Sequence, residues 1–226
     1  MMVAMVIVMT YANLAYADVF QVNAGLSTGH FIEGINVTDR HPIAFLGADW
    51  SFDNGAFTGG ECYQSSSDPD GSLSRGCHFF AGYFSQINEN QAITFELRHK
   101  EYLIRDGNFW RYFEGTVDWH FNKNVTLSAR VSDDWLDQGY ASVAFGADYS
   151  RPLSSTLTAY GLVDVMKFES VADVDYTEHY EFGIKYQKER LSIGLSAIFA
   201  DPSLSEQIWF NVSENQLRLT VSYRLY

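Results

Sequence analysis

The sequence predicts an all-β fold, an antiparallel transmembrane β-barrel of about 12 strands with short periplasmic turns and longer outer loops. Three features predict it: an export signal, connections that are alternately short and long, and apolar residues that alternate with polar ones. The last segment, residues 216–226, shows this alternation. Its apolar face carries Leu217, Leu219, Val221, Tyr223 and Leu225. Such a strand suits a wall between lipid and a lumen, and the edge strand of a soluble sheet is the alternative.

The N-terminus has the features of a secretory signal peptide. Residues 3–9 are an apolar run, and Ala15-Tyr16-Ala17 forms a small-x-small cleavage site. No Lys or Arg precedes the run, so we expect the true translation start to lie upstream of Met1. A membrane anchor is the alternative, but seven apolar residues are too few to span a bilayer. The sequence therefore predicts a signal peptide at residues 1–17 and an outer-membrane barrel at residues 18–226.

Composition narrows the class of protein. The net charge is -13 and the pI about 4.7, which argues against nucleic acid as a partner because phosphate binding needs clustered Lys and Arg. The mean hydropathy of -0.15 is too low for a helical membrane protein, whereas lipid-facing and lumen-facing residues cancel in a barrel. Aromatic residues make up 16% of the chain, which suits two aromatic girdles. The expected location is the outer membrane of a Gram-negative cell.

The first six strands are expected at about residues 20–27, 44–52, 56–63, 78–85, 93–100 and 112–121. Asp53-Asn54-Gly55 marks a tight hairpin, because Asn and Gly accept positive φ angles. The strand that follows is interrupted by glycines, and its facing is not assigned. Residues 65–76 are polar and form a long loop.

The other six strands are expected at about residues 125–132, 141–148, 157–166, 180–187, 191–199 and 216–226. Short turns are expected near Asn54, Asn90, Lys123, Pro152 and Glu189. Longer loops are expected near Thr38, Ser67, Gly107, Asp137, Asp173 and Ser205. This alternation puts the short turns at one end of the barrel, and an even strand number leaves both termini at the periplasmic end.

Cys62 and Cys77 are the only cysteines. In an exported chain they favour a disulfide that closes the segment between them. Free thiols and a two-cysteine metal site are the alternatives. The metal site is disfavoured because no pair of histidines at ligand spacing accompanies the cysteines.

Charged residues recur on the faces that the alternation turns inward. The predicted pore-lining residues are Glu96, Arg98, Lys100, Glu114, Asp118, Arg130, Asp148, Asp164, Glu181, Lys185 and Arg218. His120 and Arg224 share this phase. Such charges could line a hydrated pore and set its ion preference, or pair across a narrow lumen and fill it. Twelve strands lie between eight, which side chains fill, and sixteen, which leave a channel.

The sequence does not predict an enzyme. Its six histidines are scattered, and no motif ties any of them to a serine, as a lipid-modifying barrel would need. No catalytic residue, cofactor or metal site is predicted, and residues 68–71 resemble a calcium loop but lack its later Glu. Trp135 and Trp209, near loop bases, are interpreted as girdle aromatics.

The first hairpins resemble the TorF-type porin family of proteobacterial outer-membrane proteins. Gly29-His30-Phe31-Ile32-Glu33-Gly34-Ile35-Asn36 stands where that family has a Tyr-x-x-Arg-Gly-Ile-Ser-like motif. The segments from Pro42 to Phe52 and from Gly55 to Gly60 resemble its next two strands. Glu33 replaces the expected Arg, and the cysteine-bracketed loop departs from the family pattern. The resemblance implies a porin-like role.

The expected function is a narrow passive pore for small solutes or ions. Expected partners are outer-membrane lipid, the barrel assembly machinery through the C-terminal strand, and the transported solutes. A plugged barrel whose outer loops bind a partner is one alternative, and a lipid-modifying enzyme is another.

Overall fold

The computed structural model describes residues 18–32, 35–36, 41–65, 75–103, 109–137, 139–168, 176–200 and 215–225. Twelve strands of this part of the chain form a closed antiparallel barrel, which confirms the predicted fold class. They are β1 (Val19–Ser27), β4 (Ile43–Ser51), β5 (Ala56–Ser65), β6 (Arg75–Asn88), β7 (Gln91–Leu103), β8 (Phe109–His120), β9 (Val125–Ser132), β10 (Ser142–Pro152), β11 (Leu157–Phe168), β12 (Tyr176–Lys188), β13 (Leu191–Ala200) and β14 (Asn215–Arg224).

A small separate hairpin follows the first barrel strand. It consists of β2 (Phe31–Ile32) and β3 (Ile35–Asn36), which pair with each other and not with the barrel. The sequence did not predict this hairpin, because two-residue strands are too short to show a period of two.

The last strand closes the barrel by pairing with the first. Asn23 lies opposite Arg224 and Ser27 opposite Thr220, so β1 and β14 run antiparallel in continuous register. The other side of β1 pairs with β4, and the remaining strands follow one another around the barrel in chain order. Closure leaves no sheet edge, which a membrane requires because lipid offers no hydrogen-bond partner for an open strand.

The outer surface of the barrel is apolar. Leu26, Leu46, Leu97, Phe145, Phe182 and Leu217 are among its exposed large side chains. These residues alternate along their strands with side chains that face inward, as the sequence predicted. A surface of this kind is stable against lipid and not against water, so the barrel is a transmembrane one. No helix in the described part of the chain is long and apolar enough to cross a bilayer.

The short connections all lie at one end, which is called here the turn end. In the first of them, the Ala56 amide donates a hydrogen bond to Asn54 Oδ1 at 2.9 Å, and Gly55 has a φ of +91°. The Asn122 carboxamide oxygen likewise accepts hydrogen bonds from the amides of Asn124 and Val125, at 2.8 and 3.0 Å. These Asn side chains fix tight turns, as predicted. The opposite end is called the loop end.

The predicted disulfide is confirmed. Cys62 on β5 and Cys77 on β6 are bonded, and they are also directly paired in the register of the two strands. The bond therefore links neighbouring strands towards the loop end of the barrel.

One predicted girdle residue lies elsewhere. Trp135 is only 1% exposed and packs on Phe168, with ring centroids 5.0 Å apart. A 3₁₀ turn over Trp135–Asp137 carries it away from lipid, so the girdle interpretation was wrong. A single Trp near a loop carries no signal for which way the turn points it. Trp209 and residues 68–71 lie outside the described residues.

Candidate pore lining

The inner face of the barrel carries the charged residues that the alternation turns inward. The eleven residues predicted to line a pore all have side chains on this face: Glu96, Arg98, Lys100, Glu114, Asp118, Arg130, Asp148, Asp164, Glu181, Lys185 and Arg218. Their placement agrees with the predicted phase of each strand. Whether they line an open pore stays a prediction.

Four ion pairs join inward side chains in the described part of the chain. They are Arg98–Glu96, Lys100–Glu114, Arg130–Asp164 and Arg218–Glu181. All eight side chains are largely buried. Charges with so little exposed surface are tolerated because each pair supplies the opposite charge and a hydrogen bond.

Three of the predicted residues take no part in a salt bridge among the residues that the structure describes. Asp118 hydrogen-bonds Ser128 on the neighbouring strand. Asp148 is 7% exposed, and its Oδ1 has no hydrogen-bond partner. Lys185 lies within electrostatic reach of Arg224, a like charge. These side chains therefore keep a net charge on the inner face.

His120 lies on the inner face near the turn end. One ring nitrogen, Nε2, is 2.8 Å from Thr94 Oγ1, and the other, Nδ1, is 3.1 Å from Thr126 Oγ1. The imidazole therefore bridges strands β7 and β9 through two hydroxyl groups. A lipid-modifying barrel would need a histidine paired with a serine at the lipid interface. The contacts of His120 are instead with threonines in the interior.

An aromatic cluster occupies the interior towards the loop end. His30, which follows β1, stacks on Tyr63 with ring centroids 4.1 Å apart. Tyr102 lies 6.3 Å from Tyr63 and 6.1 Å from Tyr112, and the Lys100 ammonium group is 5.2 Å from the Tyr112 ring centroid. These side chains narrow the interior at this end of the barrel.

Sequence reasoning missed several interior residues. Asp49, Glu61, His78 and His179 face inward as well. Glu61 and Tyr63 were missed because glycines interrupt β5 and hide its phase. The inward position of Asp49 could have been predicted, since Asp49 alternates with the apolar residues of β4.

The described residues contain no group of three or more His, Cys, Asp or Glu side chains that could hold a metal ion. The inner face therefore offers ion pairs, hydroxyl groups and single carboxylates. Such groups can bind and orient a polar solute or an ion.

The comparisons with known proteins agree with this architecture. No family model matches the chain, and no curated protein matches it. Among solved structures, the NanC porin is similar with a TM-score of 0.59, 12% identity and coverage of 92% of this chain and 100% of that one. A KdgM porin in complex with disordered oligogalacturonate has a TM-score of 0.56 at 10% identity, with the same coverage. At these identities the likeness shows the fold alone, which is that of outer-membrane porin barrels.

Proposed function

We propose that this protein is a porin-like channel of a Gram-negative outer membrane, and that it forms a narrow passive pore for small solutes or ions. The observation that carries the proposal is the contrast between the two faces of one closed wall. The outer face is apolar, whereas the inner face is lined by charges and hydroxyl groups. A charged inner face is useful in a barrel that holds water, because water can solvate the charges that a passing solute meets.

The predicted targeting features complete the proposal. Residues 1–17 act as a signal peptide that is removed on export. The C-terminal strand is the segment that the barrel assembly machinery recognises. The resemblance of the first hairpins to the TorF-type porins, together with the fold shared with KdgM and NanC, supports membership of a porin family.

The function is passive and not catalytic. His120 bridges two threonines, and His30 stacks on a tyrosine. In both positions the imidazole serves packing and hydrogen bonding between neighbouring side chains. Neither geometry presents a nucleophile with its base to a lipid substrate.

A plugged barrel is the second candidate. The observation that supports it is that the ion pairs and the aromatic cluster around His30 and Tyr63 both occupy interior space. If the lumen is filled, the function would lie in the connections at the loop end, which would form a binding surface for a partner.

Single-channel conductance of the purified, heat-modifiable protein in a planar bilayer separates the two candidates. Discrete current steps whose size rises with KCl concentration are the result expected of a pore. Protein that is folded, as its gel mobility before heating shows, but gives no steps would refute the pore and leave the plugged barrel.

A further inference from the structure

Asp118 on β8 and Asp148 on β10 face the lumen from the two strands that flank β9. We propose that Asp118 and Asp148 form a cation site in the lumen, which takes a monovalent inorganic cation or the ammonium group of a small organic solute. The inference rests on the proposed pore and makes it cation-selective.

The register brings the two carboxylates to opposite sides of one strand. Asp118 on β8 lies opposite Ser128 on β9, and Asp148 on β10 lies opposite Thr126 on β9. Ser128 and Thr126 are two residues apart and both face inward, so they lie between the two carboxylates. Gly146, which pairs with Ser128, adds no side chain to this space. The result is an inward patch of carboxylate and hydroxyl oxygens.

The basic residues nearby are already engaged. Arg130 lies within electrostatic reach of both Asp118 and Asp148, but its guanidinium is bonded to Asp164. Arg98 also lies within electrostatic reach of Asp118, and its guanidinium is bonded to Glu96. Two cations thus face four carboxylates, those of Asp118, Asp148, Asp164 and Glu96. Glu181, which also acts on Asp148, has Arg218 as its own partner. The patch therefore carries an excess of negative charge that a mobile cation would balance.

A second observation marks the patch as a binding site and not only as an acidic surface. Asp148 is 7% exposed, its Oδ1 has no hydrogen-bond partner in the described part of the chain, and its carboxylate lies within electrostatic reach of that of Asp118. An unsatisfied buried carboxylate oxygen is costly, and a bound cation would satisfy it. Because the described residues offer no group of three metal-binding side chains, the site suits a weakly held monovalent cation or an ammonium group.

Reversal potentials of the full-length protein in planar bilayers under a KCl gradient test the proposal. The wild-type channel is expected to prefer K⁺ over Cl⁻. Asp148→Asn and Asp118→Asn should each lower the permeability ratio roughly threefold or more, and the double variant should lower it further. Glu178→Gln is the matched control, because it removes the same charge from a side chain on the outer face, where Glu178 contacts Tyr180. Putrescine at millimolar concentration tests whether an organic ammonium group also occupies the site, by blocking the wild-type channel more than the Asp148→Asn channel.

An anion-selective channel, or Asp variants that behave like the Glu178→Gln control, would overturn the cation site and leave the pore intact. If folded protein does not conduct, the proposed pore fails, and the site is tested by its binding alone. Replacing tetraethylammonium chloride, whose charged nitrogen is shielded by four ethyl groups, by KCl at equal ionic strength should then raise the unfolding temperature of the wild type and not of Asp148→Asn. Equal unfolding temperatures in the two salts would refute the site.

Discussion

Removal of Glu114 tests whether the inward ion pairs are truly shielded from water. Lys100 Nζ lies 3.0 Å from Glu114 Oε2, and the two side chains are only 9% and 5% exposed. Arg98 also lies within electrostatic reach of Glu114, so the substitution takes the salt-bridge partner from Lys100 and weakens the field on Arg98, which keeps Glu96. Breaking a buried pair typically costs about 3–5 kcal/mol, whereas a solvent-exposed pair contributes about 0–1 kcal/mol. We therefore expect Glu114→Gln to lower the free energy of unfolding by about 3 kcal/mol or more.

The assay is urea unfolding of the barrel in lipid vesicles, followed by tryptophan fluorescence. Glu89→Gln is the control for loss of a carboxylate, because Glu89 is exposed in the short turn between β6 and β7, and it should change the free energy of unfolding by less than about 0.5 kcal/mol. The double variant Lys100→Met/Glu114→Gln should be more stable than Glu114→Gln alone, since it no longer buries an unpaired ammonium group.

A loss below about 1 kcal/mol in Glu114→Gln would refute the reasoning. It would mean that the pair is surrounded by water, and that the small exposed fractions do not describe its surroundings in the membrane. That result would also favour a wide, hydrated lumen over a filled one.

Three further variants test other parts of the barrel. Leu97→Arg, at the centre of β7 and 58% exposed, should cost about 2–4 kcal/mol in the equilibrium for folding into vesicles, and a cost near zero would show that this surface does not face lipid. Replacing Cys62 and Cys77 by serine should lower the free energy of urea unfolding by about 3 kcal/mol, the value for a loop of 15 residues, and dithiothreitol should have the same effect on the wild type but none on the variant. Gly82→Ala should cost about 1–3 kcal/mol in the same assay, because its Cβ would lie 2.3 Å from the Phe57 ring and from a backbone carbonyl oxygen of β7; an unchanged stability would contradict this close approach.

The fold could be predicted because every strand repeats one simple signal. In β14, Leu217 and Leu219 face outward while Arg218 faces inward, and the same alternation recurs in most of the other strands. Because lipid is apolar and the interior is polar, this period of two determines both the secondary structure and the side of the wall on which each residue lies. Where the signal is interrupted, as at the glycines of β5, the facing could not be assigned.

Partners across the interior could not be predicted, because they depend on strand register and barrel curvature. Arg130 and Asp164 lie on strands that are not neighbours, and only the intervening β10 brings their side chains together. The same holds for Arg218 and Glu181, which are separated by β13. The alternation of side chains along a strand assigns each of these residues to the inner face. It does not determine which acidic and basic side chains form a pair.

This difference matters for function, because pairing decides which inward charges remain available to a solute. A paired side chain such as Asp164 presents little net charge, whereas Asp148 on the neighbouring strand has no described salt-bridge partner and only the more distant field of Arg130. Neutralising Asp164 would also remove the salt-bridge partner of Arg130 and so make the lumen more positive. The eleven inward charges predicted from the sequence are therefore not equivalent, and ion preference should respond most directly to those that form no salt bridge among the described residues.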